Sequence, residues 1–169
     1  MAALPESPLI SIDEYLDTSY EDGDREFVDG QVVERNVGER PHSLAQRNLL
    51  VHIQNNFSSL LAWPEQRVLT VPGRRSRVPG VCVTEGDPGT NVFDKPPLIV
   101  IEILSRRDEP ADVLQKLAEY HAFGVPHIWV IDPRHKRAFQ YEKGGLEEVQ
   151  SALAAGYVQV PLEAVFQGV

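Results

Sequence analysis

Apolar and polar positions fall along this chain in a few well-separated patterns, and each pattern predicts an element. Ser11-Ile12-Asp13-Glu14 has the spacing of a capping box, in which Ser11 caps a backbone N–H and Glu14 reaches back. A short helix is expected to start here, its early acids matching the positive end of the helix dipole. Two short apolar/polar runs flank Asp29-Gly30 within residues 25–34. Asp-Gly tolerates the positive φ that a two-residue turn demands, so this stretch predicts a β-hairpin. Across residues 42–62, Leu50, Ile53, Phe57, Leu60 and Leu61 recur at helical spacing, widened by Ala45 and Leu49. One long helix is predicted, stopped by Pro41 and Pro64.

Strand-like runs follow at residues 67–71, 77–84 and 98–104, with a loop by composition at 85–90. Pro79 puts the second run at a strand start or an edge, because proline cannot donate to a ladder. The third, Leu98-Ile99-Val100-Ile101-Glu102-Ile103-Leu104, is apolar on both faces save for one acid. Such runs belong to strands covered on both sides. A helix over Pro110–Phe123 is predicted by Pro110 in the first turn and Gly124 just past the end. His127–Asp132 reads as a second buried strand. Arg137–Glu142, a Gly144-Gly145 turn and residues 146–150 read as a hairpin, and residues 157–160 as a last strand. The order predicts a mixed α/β or α+β fold, a central sheet packed by two main helices.

Composition narrows the class. The 169 residues are 42% apolar and 24% charged, which suits one globular domain and excludes a disordered chain. The expected organisation is an acidic helical segment over residues 1–24, a core over 25–142 and C-terminal strands over 143–169. Cys82 is the lone cysteine, so an intramolecular disulfide and a multi-cysteine metal site are both excluded. No apolar run nears the roughly 20 residues of a membrane span, and the first residues lack the basic and apolar regions of a secretory signal. A soluble, cytoplasmic protein with no membrane partner is expected. The net charge of −9 argues against a protein that coats nucleic acid indiscriminately. That charge is concentrated: residues 1–34 hold ten acids, Glu6 and Asp22 among them, and one base, while the remainder is neutral. Three basic clusters stand in the neutral part: Arg74, Arg75 and Arg77; Arg106 and Arg107; Arg134, Lys136 and Arg137. They are candidates for a phosphate-binding face, or an ordinary solvated surface.

Glu102 is the most informative residue. A carboxylate on a doubly covered strand must be ion-paired, protonated or bound to a cation. Strand pleating puts it on the face of Val100 and Leu104. On the next helix Asp112, Lys116 and Tyr120 are four apart and share a face. Two readings stand: a surface Asp112–Lys116 pair, or Lys116 turned over the sheet toward Glu102, where an ammonium can orient water and stabilise phosphate charge. His52, His121 and His127 have no second ligand at metal spacing and read as packed or hydrogen-bonded residues. Cys82, Trp63 and Trp129 read as packing residues. No phosphate-binding glycine loop and no Gly-x-Ser-x-Gly signature is present.

The ordered set Tyr15, Arg25-Glu26-Phe27-Val28-Asp29-Gly30, Pro41-His42-Ser43, Arg77-Val78-Pro79, Ile101-Glu102-Ile103-Leu104-Ser105, Asp112-x-x-x-Lys116-x-x-x-Tyr120 and Gly124-Val125-Pro126-x-x-Trp129-Val130-Ile131-Asp132-Pro133 resembles the Uma-two-type restriction endonucleases of the PD-(D/E)XK nuclease superfamily. The resemblance covers residues 10–142. It implies a restriction-endonuclease-like core and hydrolysis of DNA phosphodiesters assisted by Mg²⁺ or Mn²⁺, often in a homodimer. It implies that Glu102, the Ile103 carbonyl and Glu26 belong to the metal site and that Lys116 is the catalytic lysine. Leu104 stands where that lysine usually sits. His42, Asp112 and Tyr120 match accessory positions. One departure bears on everything else: the family has Arg-x-Pro-Asp where this chain has Arg77-Val78-Pro79-Gly80, so the metal-bridging acid is Gly80. Glu85 and Asp87 lie too far along to replace it.

Three functions follow as alternatives. The first is a metal-dependent DNA endonuclease using Glu102 and Lys116. The second is a catalytically silent nucleic-acid-binding or dimerisation module that lost its metal site with Gly80. The third is an unrelated α/β scaffold in which Glu102 merely pairs with Lys116.

Overall fold

A computed structural model describes residues 8–21, 24–36 and 38–169. Glu6 and Asp22 of the acidic head, like the first seven residues, lie outside the described residues. The chain runs α1 (Ile12–Asp17), β1 (Glu26–Val28), β2 (Gln31–Val33), α2 (Arg40–Asn56), β3 (Leu60–Pro64), β4 (Val68–Val71), β5 (Arg75–Arg77), β6 (Val81–Glu85), β7 (Ile99–Ile103), α3 (Pro110–Phe123), β8 (His127–Asp132), β9 (Arg137–Glu142), β10 (Gly145–Val149), β11 (Ala152–Ala155), β12 (Val158–Pro161) and α4 (Leu162–Val165). It is a mixed α+β structure, as the pattern predicts.

The centre is a six-stranded sheet in the order β10-β9-β8-β7-β6-β3. Only β7 and β8 are parallel within it, and α3 makes the crossover that such a pair needs. Alternation along the strands sorts the core in two. Val81, Val83, Ile99, Ile101, Ile103, Trp129 and Ile131 pack with Ala45, Leu49 and Ile53 of α2. Cys82, Val100, Ile128 and Val130 pack on the other face with Leu117 and Tyr120 of α3. A second sheet, β2-β1-β5-β4, is antiparallel throughout. A two-stranded ribbon, β11-β12, adds Leu153, Val158 and Val160 to the core under α2. Among the described residues no helix is long and apolar enough to cross a membrane.

Local chemistry explains most boundaries. Ser11 caps α1 by accepting from the Glu14 N–H at 3.1 Å. Asp29 and Gly30 take φ of 49° and 92°, the paired positive values of a tight hairpin turn. Gly124 ends α3 at φ 104°, where a side chain would be strained.

Three expectations are corrected. The helix predicted over 42–62 is α2, which starts at Arg40 with Pro41 inside its first turn and ends at Asn56. Leu60 and Leu61 continue the helical spacing but belong to β3, paired with Glu85 and Thr84 of β6. The run 77–84 is two strands. Pro79 interrupts it, so Arg77 ends β5 in the smaller sheet while β6 begins at Val81 in the larger one. The second hairpin turns at Lys143-Gly144, both at positive φ, rather than at Gly144-Gly145. The strands β5 and β11 and the short α4 were not predicted as elements.

Candidate functional site

A polar pocket of about 400 Å³ opens where β1 and β2 of the smaller sheet, the end of β7, and α3 come together. Glu26, Glu102, Ile103, Lys116, His42 and Asp112 all line it. Glu102 is half-buried rather than sealed between layers: it sits one residue from the end of β7 and faces the pocket. The Tyr120 hydroxyl donates to Glu102 Oε1 at 2.7 Å, as the shared face of α3 and the strand pleat together require.

Glu26 is the more deeply buried acid, at 1% exposure. The hairpin turn sets β1 against β2, and on its other edge β1 pairs with β5, which brings Arg77 close to Glu26. Glu26 Oε1 accepts from the Val78 N–H at 3.2 Å and faces Lys116 Nζ at 3.1 Å. Its Oε2 takes Arg77 Nη1 at 3.1 Å. Lys116 therefore turns inward, and among the described residues its ion-pair partner is Glu26 rather than the exposed Asp112.

Behind this lies a network the sequence reading did not anticipate. Arg77 grips Glu119 of α3 with two parallel bonds, Nε to Oε1 at 3.0 Å and Nη2 to Oε2 at 2.8 Å. Thr70 also donates to Glu119, and Arg75 bridges Glu119 to Asp29. Arg74 pairs with Asp29 as well. The first basic cluster is thus mostly spent inside the protein and offers little to a ligand. The third is only partly open, because Arg137 is held by Glu148 at 2.7 Å. Arg106 and Arg107 are exposed in the loop between β7 and α3, and Arg107 lines the pocket. Arg35 joins it there, paired with Glu65 at 3.4 Å.

Electrostatics follow from these contacts. Burial pushes the Glu102 carboxyl above the usual range, the Lys116 charge opposes that rise, and Glu26 adds to it. Burial disfavours the Lys116 ammonium, but the charges of Glu102 and Glu26 outweigh it and raise its pKa. Burial also opposes ionisation of Glu119, yet the hydrogen bonds from Arg77 and Thr70 and the Arg77 charge bring its pKa down. Burial lowers His42, which is half-buried; Glu65 opposes this and Arg35 adds to it.

The two carboxyls must then act on stability with opposite sign. Glu102, with its folded pKa raised, contributes stability present below its unfolded pKa and lost as pH rises through the folded value. Glu119, with its folded pKa lowered, contributes stability present above its unfolded pKa and lost as pH falls. A Glu102→Gln chain, which mimics the protonated acid, is expected to gain on the wild type as pH rises above the ordinary carboxylate range. Urea titrations at several pH values measure this; a constant difference across the range would show that Glu102 is not perturbed by folding.

The residues present do not fit a divalent cation well. Mg²⁺ and Mn²⁺ want hard oxygen ligands with lone pairs to spare. Both Glu26 oxygens already serve cations and Glu102 Oε1 accepts from Tyr120, while Glu109 and Asp112 line the pocket only from the exposed start of α3. Gly80 is buried and is not part of the pocket lining. A Cβ built there would meet Ile103 Cγ1 at 3.2 Å, Cδ1 at 3.3 Å and the Ile101 carbonyl oxygen at 3.4 Å. Ile103 would have to give by a few tenths of an ångström to admit a side chain here. Among the described residues no three His, Cys, Asp or Glu side chains are grouped to hold a metal ion.

Residues expected to be inert have ordinary surroundings. Cys82 and Trp129 are buried in the two cores, and burial pushes the Cys82 thiol up to about 12. Trp63 donates from its indole nitrogen to Thr84 Oγ1 at 2.8 Å. His121 packs edge-on against Tyr141.

Comparison with known proteins places this geometry. No protein of curated function matches the chain. Among solved structures, a "putative nuclease belonging to DUF820" from Anabaena variabilis ATCC 29413 superposes with a TM-score of 0.77 at 20% identity, over 93% of this chain and 97% of that one. At that identity the likeness shows a shared fold, a nuclease-like one. The profile of the Uma2 family, whose description reads "Putative restriction endonuclease", matches residues 12–169. That match spans the pocket, both sheets and the C-terminal ribbon, and it removes the unrelated-scaffold alternative: the chain belongs to the Uma2 restriction endonuclease family.

Proposed function

We propose that this protein binds nucleic acid at the Glu102–Lys116 pocket and that hydrolysis there is silenced by the altered cation centre. The family and the nuclease-like fold support nucleic acid as the substrate class. The observation that carries the silencing is Gly80: the acid the family places there is absent, and a side chain there would press on Ile103. Losing one of two charged ligands weakens a Mg²⁺ or Mn²⁺ site severely. Exposed Arg106 and Arg107, beside the pocket, are the side chains best placed to grip phosphates.

A second reading keeps the activity: a metal-dependent DNA endonuclease in which Glu102 binds the cation and Lys116 positions water or phosphate. It is favoured by the presence of both residues in one pocket with Tyr120 holding Glu102.

One set of assays separates the two. Duplex DNA binding is measured by gel shift over a salt series, and plasmid nicking is followed with MgCl₂ and MnCl₂. Binding is expected to weaken with salt, and Arg107→Ala to reduce the salt slope by about one. Wild-type protein is expected to leave the plasmid intact. Nicking by the wild type that Glu102→Gln abolishes would establish the second reading. An absence of DNA binding even at low salt would overturn both.

A further inference from the structure

The deepest acids beside the pocket are met by the protein's own cations. Glu26 pairs with Lys116 and Arg77, and Glu119 with Arg77 and Arg75, which also carries the exposed Asp29. Lys116 holds the central place among them. It stands one helical turn from Tyr120, whose hydroxyl is on Glu102, and its own Nζ is 3.1 Å from Glu26. Its ammonium therefore lies against Glu26 in the pocket that Glu102 also lines.

We propose that Lys116 is the resident counter-ion of this pocket: its ammonium takes, electrostatically, the place a divalent cation would hold between Glu26 and Glu102. The inference rests on reading the pocket as the altered centre of a nuclease fold, and it gives Lys116 a role distinct from positioning water or phosphate. A dication entering beside Lys116 would meet its ammonium at close range, with Glu26 already committed to Lys116 and Arg77. Glu26 cannot turn toward such an ion without releasing Arg77 Nη1 and the Val78 N–H. With Lys116 removed, Glu102 and Glu26 face the same cavity with one cation too few, and the pocket becomes a site for a hard cation.

The test is a MnCl₂ titration without nucleic acid, followed by calorimetry and by the Mn²⁺ electron paramagnetic resonance signal. It can fail while the nucleic-acid reading stands, because no DNA is present. Wild type, Lys116→Ala, Lys116→Met and Lys116→Ala/Glu102→Gln are compared. Lys116→Ala and Lys116→Met are expected to bind Mn²⁺ at least about tenfold more tightly than the wild type, since affinity at such sites follows ligand charge. Their Tm should rise with MnCl₂ while that of the wild type stays put. The double variant should lose the gain. Should the Lys116 variants not fold alone, millimolar MnCl₂ is expected to restore their folded circular-dichroism signal. The proposal is overturned if the wild type itself has a saturable Mn²⁺ site that Glu102→Gln abolishes. It is equally overturned if folded Lys116 variants show no gain, or if MnCl₂ fails to rescue unfolded ones.

Discussion

An Arg77→Ala chain is expected to lose about 3 kcal/mol of stability, measured as a shift of the urea midpoint at unchanged slope. Arg77 is 5% exposed, and its guanidinium serves two buried carboxylates at once. Removing one partner of a buried ion pair typically costs roughly 3–5 kcal/mol, because the stranded charge can neither hydrate nor find a new partner. The lower end applies here, since neither acid is left alone. Glu26 keeps Lys116 and the Val78 N–H, and Glu119 keeps Arg75 and Thr70. Adding Glu119→Gln to Arg77→Ala should therefore recover part of the loss, because it removes a stranded charge. A loss of under about 1 kcal/mol, the range of solvent-exposed pairs, would mean that water reaches this cluster and screens it.

The same network gives Arg77 a second consequence. It ties β5 of the smaller sheet to α3, which itself covers the larger sheet through Leu117 and Tyr120. The walls of the pocket come from both sheets, so the distance between Glu26 and Glu102 depends on that tie. Substitutions at Arg77 and Glu119 are expected to disturb the site without touching a ligand.

How much of this was legible in the chain depends on the range of the interaction. α3 is legible because Pro110 and Gly124 are both local signals. The turn of the Lys116–Tyr120 face toward Glu102 is legible too, since strand pleat and helical spacing each fix a side-chain direction, although the sequence points to Lys116 and the contact is made by Tyr120. Leu60 and Leu61 were misread for the opposite reason. Their spacing continues the helix, and what makes them a strand is the pairing with β6, some twenty residues on. The Glu26–Arg77–Glu119 cluster was hidden in the same way: its members lie 51 and 42 residues apart, and no local pattern joins them. Two hints existed. Arg77 directly precedes a Val-Pro break, and Glu119 is an acid in the middle of a helix that covers a buried strand.

Gly80→Asp is expected to destabilise the protein by about 3 kcal/mol or more at neutral pH, through two effects that can be separated. The first is steric. The new Cβ would press on Ile103 Cγ1 at 3.2 Å and Cδ1 at 3.3 Å, and inserting atoms into a packed core costs roughly 1–3 kcal/mol. Ile103 is a branched side chain at 5% exposure, so it has little room to retreat. The second is electrostatic, a further carboxylate beside the Ile101 carbonyl oxygen with no cation assigned to it. Trimming the neighbour with Ile103→Val in the same chain removes Cδ1 but keeps a methyl at Cγ1, so it should return only part of the steric cost. MnCl₂ should return the electrostatic part, since a ligand that binds only the folded state stabilises it by mass action. Acidification should also relieve the penalty, because a buried acid without a partner has a raised folded pKa and its cost builds as pH rises from the unfolded to the folded value. With both reliefs in place, Mn²⁺-dependent plasmid nicking is expected to emerge. A Gly80→Asp protein as stable as the wild type, and indifferent to Ile103→Val and to MnCl₂ alike, would show that position 80 faces neither Ile103 nor a cation, and the account of Gly80 as the altered element of this pocket would fall with it.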